Sequence, residues 1–356
     1  MNVFLSIIYT LLILLMLVFA HEFGHFIVAK ACNTKVDELS LGMGPAIWQK
    51  RKGETIYSLR ALPLGGYCAF DNELGNAEGI EKPAETENFA EEPERDTSRD
   101  LANKKWWQKI LILLAGPGMN ILFCIFVISG IIMITGIVTG ALGSITPGSP
   151  AEAAGLMAGD RIVDVGGHPV EKWADIGEAV NTFKENEAVS ITYERKGETL
   201  GTVVYPTVSE DGQRLVIGVT PKVEHPLGTS LKYGLSGTWN LAKMMGRVFF
   251  GLFTGATGKD AVSGPVGMVS AVEQTVSLGF VYVAYIAALI SLNLAIFNLL
   301  PFPALDGGRI LFVLIRLVTG KVVTDDIENK FHFVGIVLLL FLMVFVTFND
   351  VTRLIH

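Results

Sequence analysis

Apolar residues run almost without interruption from Val3 to Ala31, and the same density recurs over residues 107–138, 280–318 and 331–348. As a helix, each run can cross about 30 Å of hydrocarbon, which takes about 20 residues. The third run differs, because Asn298, Pro301, Pro303, Asp306, Gly307 and Gly308 lie inside it. Two prolines and a glycine pair exclude an uninterrupted helix. The pattern therefore predicts a broken span, its freed backbone groups buried in protein or lining a wet cavity.

Between the first two runs the period changes. Residues 36–70 read as hairpin strands, with alternation in Thr55-Ile56-Tyr57-Ser58-Leu59 and turns at Lys52-Gly53 and Leu64-Gly65-Gly66. Their apolar, glycine-rich parts, 39–48 and 61–70, are expected to dip into the membrane and present an edge. Residues 75–100 are acidic, with turn formers and few large apolar side chains, which predicts a flexible surface loop without chemistry. Residues 141–224 carry short strands near 189–194, 200–205 and 215–219, a helical stretch near 173–183 and glycine turns, enough for one small core. Over 226–254 apolar positions fall near helical spacing among Lys232, Lys243 and Arg247, an amphipathic helix on the outer membrane face.

The predicted architecture is a polytopic α-helical membrane protein with about four transmembrane helices, a membrane-associated β-hairpin region and an inserted α+β domain. Its segments are the first transmembrane helix (1–35), the hairpin region (36–70), an acidic cytoplasmic loop (71–105) and the second transmembrane helix (106–140). The insert (141–224), an amphipathic juxtamembrane segment (225–275), the third, broken helix (276–320) and the fourth helix (328–350) follow.

Composition agrees. Of 356 residues half are hydrophobic and only 18% charged, with a mean hydropathy of +0.46, which fits neither a soluble enzyme nor a disordered chain. A net charge of -7 argues against nucleic acid as a partner and leaves the lipid bilayer as the main one. Cys32, Cys68 and Cys124 lie in or beside apolar segments and read as buried thiols without a disulfide framework. Met1-Asn2-Val3 offers no basic n-region and the apolar run continues past residue 20, so a retained helix is expected rather than a removable signal peptide. Lys30, Lys35, Lys50, Arg51, Lys52, Arg60, Lys104, Lys105 and Lys109 lie between the first two spans or at their edges, and Arg309, Arg316, Lys321 and Lys330 at or after the end of the third. Both regions are expected in the cytoplasm, with the insert on the other side.

The candidate chemistry sits at hydrocarbon depth. His21-Glu22-Phe23-Gly24-His25 places two imidazoles four residues apart on one helix face, while Glu22, about 100° round the axis, stays free to handle a proton. Ionisable groups at a span's centre cost about 2.5–3.5 kcal/mol each to insert, so such a cluster persists mainly where it has a task. Two imidazoles leave a catalytic zinc one protein ligand short. Asp306, the acid in the broken span, is the best third ligand, a role compatible with its capping the helix that continues through Arg309. Two rival readings stay open: a catalytically silent membrane chaperone, and a metal-cation transporter, for which Glu22 has no evident use.

Several stretches together resemble one family. His21 to Ala29 is similar to HExGHFxxA, residues 41–67 to a GxGP, GETxYxL and PLGGY stretch, and Ala115 to Asn120 to AGPxxN. Ser263 to Gly267 is similar to SGPxG, and Asn298 to Gly308 to NxxPxPxLDGG. In these the chain resembles the site-2 protease family of intramembrane zinc metalloproteases, of the bacterial RseP and RasP type. The SPAxxAGLxxGDxI pattern in the insert resembles a circularly permuted PDZ domain. Departures are Asn33 where glycine is usual, one PDZ-like insert where some members have two, and the acidic loop.

The resemblance implies one Zn2+ held by His21, His25 and Asp306, with Glu22 as general base and then acid. It implies substrate or oxyanion contact at Asn298 and a substrate-binding role for Pro301 and Pro303, against an alternative in which Asn298 only satisfies freed backbone. Implied substrates are single-span membrane proteins pre-trimmed by another protease, such as anti-sigma factors or remnant signal peptides, in a bacterial inner membrane with the active site toward the cytoplasm. The hairpin edge would clamp the unwound substrate and the insert would bind peptide or act as a steric gate.

Overall fold

The computed structural model describes residues 3–70, 97–209, 212–256, 264–320 and 325–355. Residues 71–96 of the expected acidic loop and Ser263 lie outside them. Helix α1 (Val3–Ala31) is apolar on all its faces up to Ala20 and contains no proline. Strands β1 (Glu38–Lys52) and β2 (Thr55–Ala69) follow, then two 3-10 turns, Thr97–Arg99 and Leu101–Asn103, and helix α2 (Trp106–Thr135).

The insert comprises β3 (Ile137–Ile145), α3 (Pro150–Ala153), β4 (Arg161–Val165), β5 (His168–Pro169), α4 (Trp173–Val180), β6 (Val189–Arg195), β7 (Glu198–Val204), β8 (Thr207–Val208), β9 (Leu215–Val216) and β10 (Val219–Glu224). Thereafter come α5 (Leu227–Thr254), α6 (Pro265–Val276), α7 (Phe280–Asn298), α8 (Asp306–Thr319) and α9 (Asp325–Ile355). Contacts divide the chain into two compact units, Met1–Ile128 with Gly234–His356, and Ser129–Tyr233.

Among the described residues four helices are long and apolar enough to cross a membrane: Phe4–Ala31, Trp106–Thr135, Phe280–Asn298 and Lys330–Thr352. On α9, Phe333, Phe341, Val344 and Phe345 are all more than half exposed. Such a surface faces lipid, since water would not tolerate so large an apolar patch. The chain is a multi-pass membrane protein. Ile13 and Leu17 of α1 pack with Val272 of α6 and Ala287 of α7, and Ala29, Val36, Leu39, Cys68, Phe70 and Ile112 form a second cluster where α1, the hairpin and α2 meet. Cys32, Cys68 and Cys124 form no disulfide, Cys32 being half-buried and the other two buried.

The predicted hairpin is longer and more folded than two plain strands. Residues Glu38–Leu41 pair both with Ile56–Leu59 and with Gly66–Ala69, while Trp48–Lys52 pair with Leu59–Thr55. The turn expected at Leu64-Gly65-Gly66 is instead a bend inside β2, made possible by φ +79° at Gly65. Glu54 at the hairpin tip accepts from Lys30 Nζ at 2.6 Å and from both terminal nitrogens of Arg99 at 2.7 and 2.9 Å, tying β1–β2 to α1 and the 3-10 turns. Met43, Ile47, Trp48 and Leu62 are more than half exposed at the other end, an apolar rim suited to the membrane.

Helix α6 begins against α9. Asp350, buried, accepts from Gly267 N–H at 2.8 Å, and a Cβ at Gly264 would lie 2.9 Å from that carboxylate. Gly264 thus admits a carboxylate to a helix N-terminus.

In the second unit a six-stranded sheet has the order β10-β3-β4-β6-β7, with β5 on β4, and β8-β9 pair separately. Its core is Leu142, Ile162, Val165, Ile191 and Val204, closed by Ile176 and Val180 of α4. Asp160 is buried and accepts from Arg195 Nε and Nη2 and from Met157 N–H, each at 2.7 Å. Burial pushes this carboxyl up, but the bonds from Arg195 and Met157 and the guanidinium charge outweigh it and hold the carboxyl below its usual range.

Candidate active site

Three elements build the centre. Helix α1 carries His21 and His25 one turn apart, so their rings meet edge to face with Nε2 atoms 3.2 Å apart. Helix α8 begins at Asp306, whose Oδ2 lies 3.1 Å from His21 Nε2 and 3.5 Å from His25 Nε2. Both histidines are buried and Asp306 is 17% exposed, so what access there is lies on the aspartate's side.

Asp306 arrives there through a tight reversal after α7. Residues Leu299 to Leu305 turn back on themselves, with Ala304 at φ +72°, a left-handed conformation that costs a non-glycine residue about 1–2 kcal/mol. A Cβ at Gly307 would meet Leu300 O at 2.2 Å, and one at Gly308 would meet Phe302 O at 2.2 Å. The two glycines let α8 start directly against the chain that leads into it.

Helix α2 orients the imidazoles. The carbonyl of Ile112 can only accept, so His25 Nδ1, 2.8 Å away, carries the proton and Nε2 turns a lone pair into the centre. The side-chain amide of Asn120 lies 3.3 Å from His21 Nδ1, and its Oδ1 is buried without a partner. With the oxygen turned to the ring, Asn120 accepts Nδ1–H and leaves His21 Nε2 equally bare. Ser291 of α7 donates to the Asn120 carbonyl at 3.0 Å. Gly116 sits opposite both rings: a Cβ there would lie 2.3 Å from His25 Nε2 and 2.9 Å from His21 Cε1. Gly24 gives α1 the matching close approach, for its Cβ would stand 2.3 Å from Ala115 O.

The donor set fits zinc. Nitrogen and oxygen ligands at about 2.0–2.1 Å from a tetrahedral ion stand about 3.3 Å from one another, and the three ligand atoms here are separated by 3.1, 3.2 and 3.5 Å. Asp306 Oδ2 is moreover buried with no hydrogen-bond partner. This is the one grouping of metal-ligating side chains among the described residues.

Glu22 stands outside the triangle, half-buried, interacting with both imidazoles, with Asp306 and with the Cys68 backbone amide. Strand β2 runs past it: a Cβ at Gly66 would lie 3.6 Å from Glu22 Cγ and 3.2 Å from Val18 Cγ1. Asn298, the last residue of α7, is half-buried and makes no side-chain hydrogen bond to the described residues. Pro301 is exposed. Pro303 packs against α9, where a Cβ on Gly335 would meet it at 2.2 Å. Sequence reading assigned no role to Ile112, Gly116 or Asn120. The AGPxxN string that contains two of them was visible, but helical neighbours across α1 and α2 were not.

The profile described as Peptidase family M50 matches residues 9–342. A Fusobacterium nucleatum protein named "Putative zinc metalloprotease FN1322" is 32% identical over 348 residues, covering 96% of this chain and 97% of the relative. The zinc metalloprotease RasP of Oceanobacillus iheyensis is 32% identical over 410 residues, covering 95% and 96%. Among solved structures, the PDZ domain of an SdrC-like protein from Listeria monocytogenes is 20% identical, with a TM-score of 0.21, over 24% of this chain and 90% of that one.

Proposed function

We propose a division of labour for this chain, which belongs to peptidase family M50 and is a zinc metalloendopeptidase of the site-2 type. His21 Nε2, His25 Nε2 and Asp306 Oδ2 hold one zinc ion. Bound there, zinc supplies Lewis acidity toward water and toward a peptide carbonyl. Glu22, left out of the ligand set by its position on the helix, takes a proton from the attacking water at its carboxylate and returns it to the leaving amide nitrogen. Ile112 O and Asn120 keep both imidazoles in the tautomer that leaves Nε2 bare. Asn298, with an uncommitted amide at the end of α7, donates to the substrate backbone or to the developing oxyanion.

The substrates are single-span membrane proteins, already trimmed outside the membrane. A transmembrane helix hides its amides in its own hydrogen bonds, so it must unwind before hydrolysis, and the freed groups need partners in a medium that offers none. Strand β2, passing beside Glu22, supplies a backbone for the unwound segment to pair with. Anti-sigma factors and remnant signal peptides have the required topology. The protein sits in a bacterial inner membrane with the site toward the cytoplasm and the PDZ-like insert outside, in keeping with the basic residues that flank the hairpin.

The observation that carries this reading is a zinc-sized triangle of ligand atoms on membrane helices with a spare carboxylate beside it. The test is cleavage of a model single-span substrate by purified protein, compared with Glu22→Gln and with chelator-treated enzyme. The variant should keep its zinc yet cut about 10²–10⁴-fold more slowly, and chelation should abolish cutting. Undiminished cleavage by Glu22→Gln would refute the role given to Glu22, and undiminished cleavage by metal-stripped protein would refute the metal site.

A further inference from the structure

We propose that His332, on α9, is a positioning residue for the turn that presents Asp306; the inference rests on the metal site proposed above. Ala304 N–H donates to His332 Nδ1 at 2.8 Å, and Ala304 is the residue held at φ +72° two places before the aspartate. A left-handed alanine persists only where its surroundings over-determine it, and here a single imidazole from another helix takes its amide. Because Nδ1 accepts, the ring's proton is on Nε2, which is buried without a hydrogen-bond partner, 3.6 Å from Glu328 Oε1. Glu328 is itself held by Arg316 of α8 at 2.6 Å. The ring also lies against Phe312 of α8, centroids 5.8 Å apart. Contacts thus run from α8 through α9 to the amide of Ala304, two residues before Asp306; that amide fixes the tautomer of His332, and the ring in turn holds the geometry of the turn. His332 touches none of the three ligands and acts only through Ala304.

The test uses full-length protein in detergent and three readouts: zinc retention against a competing chelator, kcat and KM on a single-span substrate, and hydrogen exchange of the Ala304 amide in metal-stripped protein. His332→Leu keeps the bulk against Phe312 but removes the acceptor. It should lose zinc about tenfold more readily, lower kcat with little change in KM, and expose the Ala304 amide to exchange. His332→Asn puts an oxygen close to where Nδ1 stood and should restore all three. Ala304→Gly should soften the effect of His332→Leu, because glycine adopts the same φ unaided. If folded His332→Leu retains wild-type zinc and amide protection, or if Asn fails as Leu does, the proposal is wrong. Should the Leu variant not fold, the comparison passes to His332→Asn against His332→Gln, whose acceptor lies one bond too far, and equal behaviour of those two overturns it. Wild-type protein that retains no zinc would instead sink the metal site, while amide exchange would still report on His332.

Discussion

Replacing Gly116 with alanine adds one methyl group in the membrane interior, and the structure says what it meets. The new Cβ would stand 2.3 Å from His25 Nε2, 2.6 Å from His25 Cε1 and 2.9 Å from His21 Cε1. Non-bonded heavy atoms settle at about 3.5 Å or more, so His25 Nε2 must recede by about 1.2 Å. It cannot do so freely, because Nδ1 of the same ring is tied to Ile112 O at 2.8 Å, one turn away on α2 itself. Zinc–ligand distances tolerate about 0.2 Å, and a misplacement of about 1 Å costs on the order of 100-fold in rate, or about 2.7 kcal/mol of barrier. Gly116→Ala should therefore lose zinc on gel filtration, by elemental analysis, and cut a single-span substrate at least about 100-fold more slowly. Gly118→Ala is the control on the same helix: a Cβ there meets nothing within 4 Å, and alanine gains helix propensity over glycine. That variant should be active and fully loaded. Equal zinc content and activity in Gly116→Ala and Gly118→Ala would refute the geometry given for the metal site.

Other outcomes follow from the same contacts. Asn120→Ala removes the partner of His21 Nδ1 and should weaken zinc binding about 10–100-fold; competition with a graded chelator series reads this, and an unchanged affinity would remove Asn120 from the site. In the insert, the carboxyl of Asp160 is held below its usual range, so its contribution to stability is complete above about pH 3.9, the unfolded value, and is lost as pH falls through the lower folded value. Asp160→Asn should cost about 1.5–3 kcal/mol at pH 7, the range for hydrogen bonds to a charged group, and flatten the loss of stability toward low pH, measured by amide exchange across β4 and β6; an unaltered acid slope would contradict it. Val138 pairs with Val223 and Ile137 with Glu224, so deleting residues 143–221 leaves a paired neck that a short turn can close. If the insert selects substrates, this deletion should allow cutting of substrates whose outer domain is still attached, and unchanged selectivity would count against that role.

Much of this protein was legible from local pattern. Long apolar runs imply spanning helices because a bilayer admits few other structures, and two prolines with two glycines imply a break wherever they fall. The pairing of His21 with His25 is a matter of helical period alone, and Asp306 was the one acid inside the broken span. Short-range alternation announced the hairpin, but the double pairing of Glu38–Leu41 depends on how a long strand bends, which a period of two does not encode.

What only the tertiary structure decided is the surroundings of the proposed metal site. That Gly116 must lack a side chain, that Ile112 contributes a carbonyl and Asn120 an amide, and that His332 holds the amide of Ala304 all depend on residues from different helices meeting at 2–3 Å. Sequence determines which face of a helix a residue occupies, because the backbone repeat is local. Which neighbour that face meets depends on helix crossing and depth, set by the summed packing of every span at once, and no single stretch of the chain contains that information.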